Sequence, residues 1–438
     1  MVRPSLQSCV ITVIAAALAS IAASANAVER ISVATGGTQA NSQSRYAAIS
    51  GNGRYVVFTS DATNLVAGDT NGAADIFLRD RMLGTTTRIS NQYNGVQSDA
   101  VSYEANISGD GSRIVFASHG HLLPNSGYQN CYLLNRTANT LQVLDLLPNG
   151  NPATTCSSAS IDYAGTRIAL VSGDALEAGD TGSYDVYIRN LVAATTLRVS
   201  RSNTNGQSNG NNTDARISGD GSRVIFASNA SNLVAGDSNN ENDIFLAATN
   251  NGVPIVRVNV GPGNTQASAP GGTGYMSALN ADGSLLAFSS SSQSLPNWGP
   301  VADSTLYLRI PSLDQTIALS IPEGALPREG FNYEPDFDYS GRWLTFASTD
   351  RLFAGTEPGG IYVIDLVEGF IELVSIGGNT GNAHQPRLSA DGTGIVWYSL
   401  SSTQVPGDTN GTWDVFYADN PLWVETPIFA DGFDGQGN

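Results

Sequence analysis

Three loops in this chain carry the side chains best suited to hold a cation. One reads Gly68-Asp69-Thr70-Asn71-Gly72-Ala73-Ala74-Asp75, and Gly407-Asp408-Thr409-Asn410-Gly411-Thr412-Trp413-Asp414 follows the same order. A looser copy places Asp237, Asn239 and Asp243 at the same spacing, and a shortened one keeps Asp180 and Asp185. Each full copy offers side-chain oxygens from three residues around a turn, whereas Ca2+ takes about six to eight oxygen ligands. Backbone carbonyls and water would supply the remainder. The bidentate glutamate that completes a strong calcium loop is missing, so binding here would be weak or would need a second loop. The same residues also make Asx turns, in which Asp and Asn side chains bond their own backbone. Two readings therefore stand for Asp69, Asn71, Asp75, Asp237, Asn239, Asp243, Asp408, Asn410 and Asp414: calcium ligands or turn caps.

Other candidate chemistry is thinner. Gly206-Gln207-Ser208-Asn209-Gly210 matches the spacing of a nucleophile elbow, but that device needs a strand before the serine and a helix after it. A polar linker follows instead, and Gly95-Val96-Gln97-Ser98 holds the corresponding place elsewhere, so repetition explains the string. His119 and His121 form a close pair and His384 stands apart; none has a third metal ligand near it in sequence. Glu334, Asp336 and Asp338 could supply a carboxylate pair for glycosidic chemistry, although spacing alone does not give their separation. No catalytic residue is assigned, and Ca2+ is the single cofactor suggested.

What must position these residues is a repeat. A glycine-containing turn, an apolar run, a large apolar residue, a small residue and Ser recur seven times, ending at Ser60, Ser118, Ser172, Ser228, Ser290, Ser348 and Ser399. The turn glycines are Gly53, Gly111, Gly165, Gly221, Gly283, Gly341 and Gly392. Copies lie about 50 to 60 residues apart, the length of a propeller blade made of short strands. In blade 1 the inner strand is 44–50, the second 54–60, the third 75–80 and the outer 85–90. Later inner strands end at Ile107, Ile161, Ile217, Leu279, Phe337 and Leu388. No stretch has a helical period of any length. The prediction is an all-β chain forming one closed propeller of seven four-stranded blades over residues 28–424. Glu29-Arg30-Ile31-Ser32 reads like the outer strands Thr87-Arg88-Ile89-Ser90 and Leu197-Arg198-Val199-Ser200, so it is expected to complete blade 7 by pairing with 414–418. Leu422–Phe429 is the competing candidate for that place.

The string from Ile107 to Ser118, with a later strand such as Asp75-Ile76-Phe77, resembles the WD40-like propeller repeat of the TolB family. That repeat typically reads S-P-D-G-x-x-I-A-F-x-S and then D-I-Y. The resemblance covers nearly all of 29–420 and implies a periplasmic or secreted β-propeller, often serving protein–protein contact. TolB itself has six blades and a preceding α/β domain, neither of which is read here, so its specific role does not carry over. Ile428-Phe429-Ala430-Asp431-Gly432-Phe433-Asp434 also resembles a short C-terminal motif of exported bacterial proteins.

Composition agrees with export and excludes some partners. Arg3, the apolar run Val10–Ala23 and Ala25-Asn26-Ala27 read as a signal peptide over 1–27, giving a mature chain from Val28 and a loose Gly-rich tail over 425–438. The run is too short and Ala-rich for a spanning helix, and no other segment could span a membrane. All 21 basic residues are Arg, against 39 acids, for a net charge of −18. Such a surface repels nucleic acid and anionic membranes. In an oxidising compartment Cys131 and Cys156, which map to one end of adjacent blades, are expected to pair or else stay as buried thiols. The leading functional reading is an exported, non-catalytic binding module for an envelope or extracellular protein, or a glycan. The alternative is an extracellular propeller enzyme, a polysaccharide lyase or hydrolase acting at the channel mouth. That alternative requires carboxylates, Arg or His to converge at one end of the channel.

Overall fold

A computed structural model describes residues 27–181, 183–250, 253–268, 277–296, 304–319, 330–349, 352, 359–376 and 383–423. Residues 1–26, which hold nearly all of the expected signal peptide over 1–27, and residues 424–438, which include the expected tail over 425–438, lie outside the described residues. Seven antiparallel four-stranded sheets follow one another along the chain. Blade 1 comprises Ser44–Ile49, Tyr55–Ser60, Asp75–Asp80 and Thr85–Arg88. The same meander recurs from Ser102, Cys156, Asn212, Ser277 and Asn332 in blades 2 to 6. The inner strands of blades 2 to 7 end at the predicted residue, that of blade 1 ends at Ile49, one residue before the predicted Ser50, and all seven second strands end on the predicted serine. The outer strand of blade 1 stops at Arg88 because Ser90 leaves the ladder, donating its hydroxyl to Asp75 at 2.5 Å. In blade 7 the order is Ala383–Leu388, Gly394–Ser399, Asp414–Asp419, and then Glu29–Arg30 beside Asp414–Asp419. Glu29 pairs with Tyr417 and Arg30 with Phe416. Among the described residues no helix is long and apolar enough to cross a membrane.

The repeated phrase dictates the packing. The turn glycines at its start all have φ between 68° and 74°, a left-handed conformation that glycine adopts without a Cβ clash. The large apolar residue near its end faces an aromatic of the third strand in every blade, and in six the two form a stacked ring pair. These stacked pairs are Phe58–Phe77, Phe116–Tyr132, Phe226–Phe245, Phe288–Tyr307, Phe346–Tyr362 and Trp397–Phe416, with centroids 5.4–6.0 Å apart. In blade 3 the partner of Tyr187 is Leu170. Side chains from adjacent sheets then merge into shared cores, as where Ile49 and Phe58 of blade 1 meet Val396 and Val415 of blade 7. Burying such rings contributes on the order of 2–3 kcal/mol each.

Neighbouring blades are also tied by backbone bonds between their first turns. Gly51 donates to Gly109 O, Gly109 to Tyr163 O, Tyr163 to Gly219 O and Asp220 to Ala281 O, at 2.8–2.9 Å. Tyr339 donates to Ala390 O and Asp391 to Gly51 O, at 3.1 and 3.0 Å. These turns therefore form a collar around one end of the central channel.

Candidate functional site

The acidic rim loops hold the residues expected to bind a metal. Each turns its two aspartates onto an arginine from the outer strand. Arg88 Nη1 lies 3.4 Å from Asp69 and 3.6 Å from Asp75. Arg257 Nη1 lies 3.4 Å from Asp237 and 2.9 Å from Asp243, and Arg30 lies 3.6 Å from Asp408 and 3.8 Å from Asp414. Blade 3 repeats this with Arg198 between Asp180 and Asp185. A glutamine from the following linker, or from the N-terminal segment for blade 7, completes the group. Gln97 donates to Asp69, Gln207 to Asp185, Gln266 to Asp237 and Gln39 to both Asp408 and Asp414. Asn71 caps the turn by accepting from Ala73 N and donates to Asp75; Asn410 does the same with Thr412 N and Asp414. Asn239 accepts from Glu241 N. Burial pushes the carboxyls of Asp75 and Asp414 upward, with the adjacent hydroxyls and guanidiniums opposing the shift. In each loop a guanidinium thus lies beside both carboxylates.

The linker glutamines also explain the nucleophile-elbow string. Gln207 serves the blade 3 aspartate, while Ser208 is 4% exposed and donates to Gly210 O. Cys131 and Cys156 are joined by a disulfide with Cα atoms 5.5 Å apart, linking blade 2 to blade 3. His119 is stacked on Tyr128 with centroids 5.1 Å apart, and His121 Nδ1 faces Asp99 at 3.7 Å. Among the described residues no three His, Cys, Asp or Glu side chains form a metal-binding group.

A polar constellation does form along the channel. The inner strands of blades 1, 2, 4, 6 and 7 each carry a bulge, seen as a register shift between residues 45/48, 103/106, 213/216, 333/336 and 384/387. A non-glycine residue sits in the left-handed region at each: Tyr46, Glu104, Asp214, Glu334 and Gln385, with φ from 46° to 57°. Each such residue costs on the order of 1–3 kcal/mol, and such strain concentrates where a side chain must be re-aimed for function. Tyr46, Glu104, Asp214, Arg216, Gln385 and Arg387 line one cavity of ≈ 90 Å³.

Blades 6 and 7 supply the most interlocked part. Glu334 accepts from Gln385 N at 2.7 Å and lies 3.5 Å from His384 Nδ1. His384 is surrounded by Tyr333, Tyr398 and Trp413, with ring centroids 5.4–5.5 Å away. Asp336 accepts from Leu388 N at 2.9 Å and faces Arg387 Nη1 at 3.7 Å. Burial raises its pKa, and the charges of Arg387 and then Arg216 oppose the rise. Desolvation likewise raises the phenols of Tyr333 and Tyr398. Asp338 leaves this group: it accepts from Ser340 and Trp343 N and caps the first turn of blade 6. Sequence reasoning had Glu334, Asp336 and His384 but missed Glu104, Asp214, Arg216 and Arg387. The signal was available, since these stand one or three residues before the aligned strand ends Ile107, Ile217 and Leu388.

No protein-family model matches the chain, and no curated protein matches it by sequence. Solved structures do resemble it. An oligogalacturonate lyase in complex with manganese aligns over 92% of this chain and 96% of its own, with 13% identity and a TM-score of 0.55. The β-propeller domain of the trilobed protease from Pyrococcus furiosus aligns over 89% and 98%, with 10% identity and a TM-score of 0.51. TolB from Acinetobacter baumannii aligns over 75% and 62%, with 14% identity and a TM-score of 0.40. Likeness at such identities concerns fold alone. The described residues form a seven-bladed, all-β propeller of four-stranded antiparallel sheets.

Proposed function

We propose that this chain is an exported, non-catalytic binding module whose ligand site is the central channel. The observation that supports this reading is the gathering of charged, polar and aromatic side chains from four inner strands, those of blades 1, 2, 4 and 7, around one cavity, each with a residue in the left-handed region. Carboxylates, guanidiniums and rings together suit a small polyhydroxylated ligand or the end of a glycan chain. The rim loops are the less favoured site, because their acids already face Arg88, Arg257 and Arg30. The test is a calorimetric screen of the mature chain against neutral, acidic and amino sugars. A true channel ligand loses at least ten-fold in affinity on Arg387→Ala and on Glu104→Gln. A ligand indifferent to both changes, or no ligand in any class, removes the channel from consideration.

A second reading is favoured by Asp336, whose raised proton affinity and guanidinium neighbours are properties of catalytic acids and bases. In that reading the chain cleaves a polysaccharide at the channel, as a lyase or hydrolase. Release of new reducing or unsaturated ends from polyuronates or neutral glycans, abolished by Asp336→Asn, would replace the binding-module reading.

A further inference from the structure

Seven residues occupy one equivalent position in the collar, two places before the turn glycine of each blade. Five are small: Gly51, Gly109, Gly219, Ala281 and Ala390. The other two are Tyr163 in blade 3 and Tyr339 in blade 6. Blades 3 and 6 lie across the ring from each other, yet these two rings meet edge to face with centroids 5.0 Å apart. Tyr163 leans over blades 1 and 2, since a Cβ added at Gly51 would lie 2.6 Å from its ring and one at Gly109 would overlap it. Tyr339 leans over blade 4 in the same way, its ring 2.9 Å from a Cβ added at Gly219. The small residues are therefore the space the two rings fill. Tyr163 and Tyr339 keep 45% and 43% exposure.

The turn chemistry changes to permit this. In most blades the capping acid or amide follows the collar residue: Asn52, Asp110, Asp220, Asp282 and Asp391 accept from the backbone N–H two residues on. In the tyrosine blades the cap precedes it. Asp162 accepts from Thr166 N and Arg167 N, and Asp338 from Ser340 N and Trp343 N. The repeated Asp-Tyr-x-Gly string at 162–165 and 338–341 is thus one device used twice, on opposite blades.

We propose that Tyr163 and Tyr339 are the stopper of the channel, closing it at the collar so that solutes enter only past the long loops at the other end. The geometry of closure is independent of what the channel binds; only its consequence, a single-mouthed site, rests on the channel reading. Asn106 lines the cavity and is half-buried, so Asn106→Cys places one free thiol on the channel wall, in addition to the native disulfide. Its alkylation by iodoacetamide is the readout, with Ser158→Cys as the alternative wall position should the first not fold. Removing both rings with Tyr163→Ala/Tyr339→Ala opens a second entrance and is expected to raise the labelling rate at least two-fold. The Tyr163→Phe/Tyr339→Phe pair, which keeps the rings, is expected to label at the parental rate. Equal rates in the alanine and parental proteins overturn the stopper, as does a phenylalanine pair that labels as fast as the alanine pair. Failure of every sugar to bind leaves these rates unaffected, so the two ideas fail separately.

Discussion

Asp145 shows how one substitution changes the physics of an otherwise repeated pair. In blades 1, 3 and 7 a buried aspartate opens the third strand and a serine closes the outer one, as with Asp75 and Ser90. Blade 2 inverts the pair: Asn130 opens the strand, and its Nδ2 donates to Asp145 at 2.7 Å. Cys131 N also donates to Asp145, at 2.9 Å. Val143 stands where blades 1, 3, 4 and 7 have the arginine, and desolvation pushes the pKa of the fully buried carboxyl to about 7. A carboxyl whose folded pKa exceeds its unfolded one stabilises the fold at acid pH. That contribution is complete below about pH 4 and is lost as pH rises through about 7. The expected size is on the order of a few kcal/mol. Urea denaturation of wild type and Asp145→Asn between pH 4 and 8 checks it. The wild type should weaken toward pH 8 relative to the variant, and parallel curves would contradict the assignment.

The rim cassette is the main device at the scale of elements. Loop, third strand, outer strand and linker each give one residue to it, as with Asp69, Asp75, Arg88 and Gln97. The linker turns back on itself through the bridge between Asn91 and Gln97, which delivers the glutamine to the loop. Blade and linker are therefore fixed by one buried charge group. Asp75 and Asp69 keep side-chain exposures of 0% and 3%, so removing the cation leaves buried carboxylates uncompensated. Arg88→Met should cost about 3–5 kcal/mol in denaturant unfolding at neutral pH. Adding Asp75→Asn to that variant should recover part of the loss. A loss below about 1 kcal/mol would mean that water solvates the cassette.

At the scale of the whole molecule, the cassettes bear on calcium. A Ca2+ ion entering Asp69, Asn71 and Asp75 must displace Arg88 or share the site with its positive charge, and the same holds at Arg257 and Arg30. Melting of the mature chain should therefore shift little between millimolar Ca2+ and chelator. A shift of several degrees would restore the rim as a calcium site, by linkage.

The architecture was legible in the sequence because each blade is a local meander. Its turns and strand ends recur at fixed offsets, so Ile107 or Ser60 could be placed from the repeat alone. Cys131 and Cys156 were legible as a pair for the same reason, since the repeat puts them at one end of neighbouring blades. The partners of the rim aspartates were harder to read. Arg88 is close in the chain, but Arg30 reaches Asp408 and Asp414 only because the N-terminal segment pairs with the last blade. The channel was least legible, because its members come from strands scattered over the whole chain and meet only around the axis. Short-range pattern determines which face of a strand is polar; the arrangement of seven sheets decides that Glu334 meets His384, and that Tyr163 meets Tyr339 across the ring.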